Sequence, residues 1–164
     1  MAGGVLSNSN TWVYTSNALA STQRFAHALA NALDSGTVIT LNGDLGAGKT
    51  AFTKGFARGY GVAELQNVVS PTYTLVNEYT ARKGRLFHMD WYRLEDEEAA
   101  ISLGLEELIR RREGTVLVEW SSRFPSFVPP DAVSIDIEVV SRTSRRFTVS
   151  GCPPPKRFKV DPID

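Results

Sequence analysis

The sequence predicts an α/β fold, and three observations carry that prediction. The run Gly43-Asp44-Leu45-Gly46-Ala47-Gly48-Lys49-Thr50 fits the phosphate-binding loop pattern G-x-x-x-x-G-K-[ST] in full. An apolar, β-branched stretch, Thr37-Val38-Ile39-Thr40-Leu41, leads into it. A helical pattern leaves it, with Phe52 and Phe56 at i, i+4 and Tyr60 one turn on. Chance alone produces such a loop in about one chain in two hundred of this size, taking roughly 7% Gly. Strand, glycine loop and helix in that order are what a nucleoside-triphosphate site needs.

The remaining elements follow from periodicity and punctuation. Residues 1–10 are small and polar and read as loosely held. Ser16 is placed to cap a helix whose apolar positions Leu19, Phe25, Ala26, Leu29, Ala30 and Leu33 keep helical spacing until Gly36. After the loop, the second helix is expected to end at Gly59 and Gly61. Ser70-Pro71-Thr72 is a polar turn that Pro keeps out of a helix. Residues 74–79 and 85–90 read as two short strands joined by a turn at Arg82-Lys83-Gly84. Residues 95–109 look helical with an interruption at Gly104, and Thr115–Glu119 is a short apolar strand ending in an acid. Pro125, Pro129 and Pro130 mark a loop. Residues 133–139 alternate as a half-exposed strand, with 147–150 as a candidate partner. Residues 1–152 therefore read as one domain, and 153–164 as a Pro-rich, basic tail without regular structure.

Composition excludes several classes. At 164 residues the chain has room for one domain with a real core. Eighteen basic residues balance eighteen acidic ones, so no global charge marks a nucleic-acid or membrane binder. The single cysteine, Cys152, rules out an internal disulfide framework and suits a reducing compartment. No charged leader precedes an apolar core, and no run approaches 18 apolar residues, so a cytoplasmic protein without a membrane partner is expected.

Each position of the loop has a physical task. Gly43, Gly46 and Gly48 let main-chain N–H groups crowd around an anion, with Leu45 and Ala47 contributing backbone and Asp44 expected to point outward. The helix that starts near Lys49 adds unpaired N–H donors and the positive end of its dipole. Lys49 would reach the β- and γ-phosphates of the nucleotide, and the Thr50 hydroxyl would ligate Mg²⁺. A hydrolase also needs an acid at the end of a strand beside the loop. Glu119, after Val116-Leu117-Val118, is the favoured metal ligand, directly or through water. Asp90, after Leu86-Phe87-His88-Met89, is the candidate for orienting or activating the attacking water. Surface carboxylates or ion-pair partners are the alternative readings of both acids. The hydroxyls of Ser70 and Thr72 could sense a γ-phosphate, with an ordinary Ser-Pro turn an equal alternative. His88 and His27 lack metal-ligand spacing, and His88 reads as a structural residue near a strand end. Trp91, Tyr92 and Trp120 suit either a partner surface or the edge of the core.

Several segments together resemble the TsaE family, the small ATPases of bacterial tRNA threonylcarbamoyladenosine biosynthesis. They are Leu41 to Thr50, the run Ser70-Pro-Thr-Tyr-Thr-Leu-Val-Asn-Glu-Tyr79, His88-Met-Asp-Trp-Tyr-Arg-Leu94, Leu103-Gly-Leu105 and Val118-Glu-Trp120. The resemblance spans roughly residues 12–140, and the second and third segments are its specific part. It implies a three-layer phosphate-loop fold, with antiparallel strands added to a mainly parallel sheet. It also implies that Gly43 to Thr50 bind ATP with Thr50 on Mg²⁺, that Ser70 to Thr72 act as a switch-like segment, and that Asp90 and Glu119 are the functional acids. Thr22 falls near a nucleotide contact of the family. The implied partners are TsaB and TsaD, which modify tRNA, so that tRNA is reached only through the complex.

Rival functions remain distinguishable. A small-molecule kinase would need an arginine-rich lid, which the chain does not display, and a GTPase would need an Asn-Lys-x-Asp run, which is missing. A nucleotide-gated interaction module would share every motif, and only partner-dependent hydrolysis separates it. No arginine finger can be assigned, so turnover is expected to be weak in the isolated protein and stimulated by partners.

Overall fold

A computed structural model describes residues 10–161. The expectation for the N-terminal segment concerns residues that, Asn10 apart, lie outside the described part, as does the end of the tail from 162 onward. In chain order the elements are β1 (Thr11–Ser16), α1 (Leu19–Ala32), β2 (Val38–Asn42), α2 (Lys49–Tyr60), β3 (Val76–Ala81), β4 (Gly84–Asp90), α3 (Glu97–Ser102), α4 (Leu105–Arg111), β5 (Gly114–Glu119), β6 (Val133–Val139) and β7 (Arg145–Ser150). They build one seven-stranded sheet in the order β1-β7-β6-β2-β5-β4-β3. The central strands β6, β2, β5 and β4 run parallel, while β3 at one edge and β7 and β1 at the other pair antiparallel. This is the mainly parallel sheet with added antiparallel strands that the resemblance implies.

The period-two geometry of the strands sorts the core into two layers. Ile39, Leu41, Leu86, Leu117 and Ile135 face α1 and α2, meeting Phe25, Leu29, Phe52 and Phe56. Val38, Phe87, Met89, Val116 and Val118 face the other way, onto Leu105, Ile109, Phe124 and Phe127. β5 is buried along its whole length, as a central parallel strand must be. Phe25 is the hub of the first layer, stacked on Tyr14 at 4.5 Å and tilted against Phe147 at 5.1 Å. Burying each such ring contributes about 1.5–3 kcal/mol.

Three features differ from the sequence reading. Residues 11–16 form a strand, β1, and Ser16 ends it rather than capping a helix: the N-cap is Ala18 and no side chain caps it. The Ser16 hydroxyl is buried and donates to the Ala18 carbonyl at 2.9 Å. Gly59 does not end α2, which continues to Tyr60 and is capped by Gly61. Its place inside the helix reflects packing, because a Cβ there would meet the His27 carbonyl oxygen at 2.4 Å. The tail after Gly151 forms no helix or strand in its described residues beyond a single bridge to β1, yet it is docked. The Trp12 indole donates to the Cys152 carbonyl at 2.7 Å, the Asp161 amide donates to the Val13 carbonyl at 2.7 Å, and Phe158 lies edge-on to Tyr14. Among the described residues no helix is long and apolar enough to cross a membrane.

Candidate functional site

The site lies where parallel strands end and helices begin, the usual ligand position in an open α/β sheet. β2 runs into the glycine loop, and α2 starts at Lys49 behind a left-handed Gly48 with φ of 110°. No side chain caps this helix, so its first-turn N–H groups are available to an anion. Gly46, at φ of 79° with nothing within 4 Å of its missing Cβ, forms the exposed crest of the loop. A cleft of about 300 Å³ opens over it, lined by Asp44 to Thr50 together with Ser70, Thr72, Asp90, Tyr92, Glu119 and Trp120.

Gly43 contributes from behind the cleft: its carbonyl accepts a hydrogen bond from Lys49 Nζ at 2.5 Å. The same ammonium approaches the Asp44 carbonyl at 3.4 Å and lies 4.8 Å from the centre of the Trp120 ring. Lys49 is thus a buried cation held by carbonyl dipoles and an aromatic face. Thr50 is exposed in the first turn of α2, and Asp44 and Leu45 are also exposed.

The two acids come from neighbouring strands. In the parallel β4–β5 register Asp90 sits opposite Glu119, and both are almost fully buried. Asp90 accepts from the Thr72 hydroxyl at 3.0 Å on one oxygen and from the Tyr92 amide at 2.8 Å on the other. Ser70 joins the chain through a 2.9 Å contact to Thr72. The turn is tied to β4 by Leu75, whose amide donates to the Pro71 carbonyl at 2.7 Å and whose carbonyl accepts from the Asp90 amide at 3.0 Å. Glu119 meets His88 Nε2 at 2.7 Å in a buried contact. With a carboxylate as the acceptor, Nε2 carries the proton. His88 Nδ1 has no partner among the described residues.

Two residues beside the cleft occupy strained backbone. Leu75 has φ of 66° and Trp120 has φ of 58°. For a non-glycine residue this conformation costs of order 1–3 kcal/mol. At Trp120 it turns the chain sharply after β5 and brings the indole over Lys49, 4.9 Å from the Tyr92 ring. Trp120 and Tyr92 therefore line the cleft, whereas Trp91 is fully buried against Phe124 and Phe127.

One anticipated residue stands apart. Thr22 does not line the cleft; it is buried in the first turns of α1, and its hydroxyl is engaged with that of Ser16 at 2.8 Å. Its hydroxyl faces inward, toward Ser16. Two residues of the site are not assigned a functional role by the sequence reading. His88 owes its place to the β4–β5 register. Arg145, whose Nε donates to the Ala47 carbonyl at 2.8 Å, owes its place to strand β7, some 98 residues from the loop.

The donor set suits a hard, hydrated cation. Among the described residues no group of three or more His, Cys, Asp and Glu could hold a metal by itself. Thr50 and a nearby carboxylate, completed by water and phosphate oxygens, fit magnesium, which keeps several waters and uses one or two carboxylates.

Comparison with known proteins identifies the family. The chain matches the model of the family described as "Threonylcarbamoyl adenosine biosynthesis protein TsaE" over residues 16–147. It is 44% identical over 113 residues to the tRNA threonylcarbamoyladenosine biosynthesis protein TsaE of Bacillus subtilis, covering 69% of this chain and 68% of that protein. The protein of the same name from Nostoc sp. is 40% identical over 133 residues, covering 79% of this chain and 80% of its own. The crystal structure of YdiB from Bacillus subtilis superposes with a TM-score of 0.68 at 31% identity, covering 87% of this chain and 86% of that one. A family match that runs from the end of β1 into β7, with relatives this similar over most of the chain, shows that the protein belongs to the TsaE family.

Proposed function

We propose that this chain is the ATP-hydrolysing component of the tRNA threonylcarbamoyladenosine system, slow alone and stimulated by its partners TsaB and TsaD. The observation that carries the reading is the convergence on one cleft of the loop 44–50, the Thr72–Asp90 pair and Glu119.

In this reading the loop amides and the start of α2 bind the triphosphate, and Lys49 exchanges the Gly43 carbonyl for phosphate oxygens. Thr50 and Glu119 would hold Mg²⁺, which would supply positive charge to offset that of the bound triphosphate. Glu119 is kept in place by His88. Asp90, fixed on both oxygens by Thr72 and Tyr92, accepts a hydrogen bond from water and orients it for in-line attack. Ser70 and Thr72 couple that orientation to the γ-phosphate. The cleft lining carries three carboxylates, Asp44, Asp90 and Glu119, against the single cation Lys49. A polyanion entering such a site needs a divalent cation with it, and among the described residues no arginine lines the cleft to balance transition-state charge. Weak intrinsic turnover, raised when a partner docks, follows from that deficit. The tRNA is reached through the complex, in the cytoplasm.

The test is multiple-turnover threonylcarbamoylation of tRNA in a reconstituted system with TsaB and TsaD, comparing wild type with Lys49→Ala. Sustained modification should need the wild-type chain and ATP hydrolysis. Equal turnover with either protein, or with neither added, refutes the assignment and favours a kinase or a nucleotide-gated module.

A further inference from the structure

The phosphate loop is braced from behind by the β6–β7 hairpin, and one side chain makes the decisive contact. Arg145, the first residue of β7, donates from Nε to the Ala47 carbonyl at 2.8 Å. Its Nη1 donates to the Ser141 carbonyl at 2.9 Å and the Ser144 carbonyl at 3.1 Å. Among the described residues other than its chain neighbours, the one atom within 4 Å of a Cβ built at Gly48 is Arg145 Nε, at 3.8 Å. Among the described residues no carboxylate lies within 4 Å of this guanidinium, whereas the adjacent Arg146 pairs with Glu138.

A solvated surface arginine would not spend its donors on three main-chain carbonyls of two separate segments. The consequence lies in the Ala47–Gly48 peptide. That peptide is trans, so its C=O and N–H point in opposite directions. Ala47 O is held against Arg145 on the outer side of the loop, which turns Gly48 N–H toward the cleft that Gly48 lines. A charged donor on the carbonyl also polarises the peptide and strengthens its N–H as a donor.

We propose that Arg145 is a positioning residue of the phosphate loop: it fixes and polarises the Gly48 amide toward a phosphate anion and ties the loop to the β6–β7 turn. The proposal rests on reading the loop as a nucleoside-phosphate site. It accounts for an arginine without a counter-charge behind that loop, and it makes the β6–β7 turn part of the nucleotide response although the turn does not line the cleft.

The experiment compares wild type, Arg145→Gln, Arg145→Lys and the neighbouring control Arg146→Gln. Affinity for MgADP is measured by calorimetry, and the Gly48 amide proton shift by NMR before nucleotide is added. Arg145→Gln should weaken MgADP binding about 10- to 100-fold, the range for losing a hydrogen bond to a charged group. It should also move the Gly48 amide resonance. Arg145→Lys should recover part of both effects, and Arg146→Gln should change neither. An Arg145→Gln protein with wild-type affinity and an unmoved Gly48 resonance overturns the proposal, as does a lysine variant no better than glutamine. Wild-type protein that binds no MgADP refutes instead the reading of the loop, and the resonance then reports the Arg145 contact by itself.

Discussion

Replacing Gly55 by alanine sets helix propensity against packing, and the structure says which wins. In an exposed helix interior the change would stabilise by about 1 kcal/mol. Here a Cβ would sit 2.5 Å from the Gln23 carbonyl oxygen, 2.7 Å from its Cα and 3.0 Å from its carbonyl carbon. All three are backbone atoms, so no rotamer change relieves the clash. An ordinary carbon–oxygen contact is about 3.3 Å or more, so α1 and α2 would have to part by close to an ångström. Such a shift loosens the packing of Phe25 against Phe52, whose ring centres are 6.1 Å apart. Overpacking costs typically 1–3 kcal/mol, and a clash with backbone belongs at the upper end. The net loss is then about 1–2 kcal/mol, which for a chain of this size lowers Tm by roughly 2–8 °C. Thermal unfolding followed by circular dichroism measures it directly. Because α2 also carries Lys49 and Thr50, affinity for MgADP should fall in parallel. A Tm equal to or above wild type would refute the reasoning, since the close approach would then not constrain the helices.

Other expectations are narrower. Thr72→Val keeps shape but removes the hydroxyl that Asp90 accepts from at 3.0 Å. It should lower partner-stimulated ATP turnover about tenfold or more while leaving MgADP affinity nearly unchanged. Nucleotide should draw Lys49 away from the Trp120 ring and change tryptophan fluorescence. Because Trp12 and Trp91 are buried elsewhere, Trp120→Phe should abolish that change, and a surviving signal would place its source in another tryptophan. Cys152 is buried, and desolvation pushes its thiol up to about 11 from 9.0. The folded protein should therefore resist a disulfide reagent at pH 8 and react only as it unfolds. Because the thiol is raised in the fold, its contribution to stability is full below about pH 9 and is lost as pH rises toward 11. Denaturant titrations between those values read the decline.

The parts of the fold that were legible in the sequence are those encoded within one segment. β2, the glycine loop and the start of α2 are contiguous, and their chemistry is local. β4 and β5 were legible because a buried parallel strand is an apolar run, and an acid at its end stands out. β1 was not, because an edge strand of mixed composition has no periodic run of its own; its register is set by β7, with Thr11 opposite Ser150. Ser16 has the right residue type for a cap, but as the last residue of that strand its hydroxyl is buried and bonded to Ala18 and Thr22. Gly59 looked like a helix end because propensity gives a mid-helix glycine no purpose, and the purpose is the surface of α1. The docking of the tail was hidden for a similar reason. Phe158 is one aromatic in a basic, Pro-rich stretch, and only its packing with Phe25 and Tyr14 gives it a role.

The same division runs through the site. Its glycine-loop half is written in eight consecutive residues, whereas its acid half depends on register. Asp90 and Glu119 are side by side only because β4 and β5 are paired in parallel with those residues opposite. Each acid is then held by a group from another part of the chain, Thr72 for Asp90 and His88 for Glu119. Lys49 is held as well, by two carbonyls and an indole. The bonds from the Lys49 ammonium to these carbonyls are already charge-assisted; a phosphate adds its own negative charge, so an arriving phosphate wins the lysine, but only by the difference. Much of the binding energy that a phosphate loop could supply is already matched within the protein. In the proposed reading the remainder comes from Mg²⁺ and from the amides that Arg145 and the α2 dipole would orient, so mutations behind the loop should weigh nearly as much as those within it.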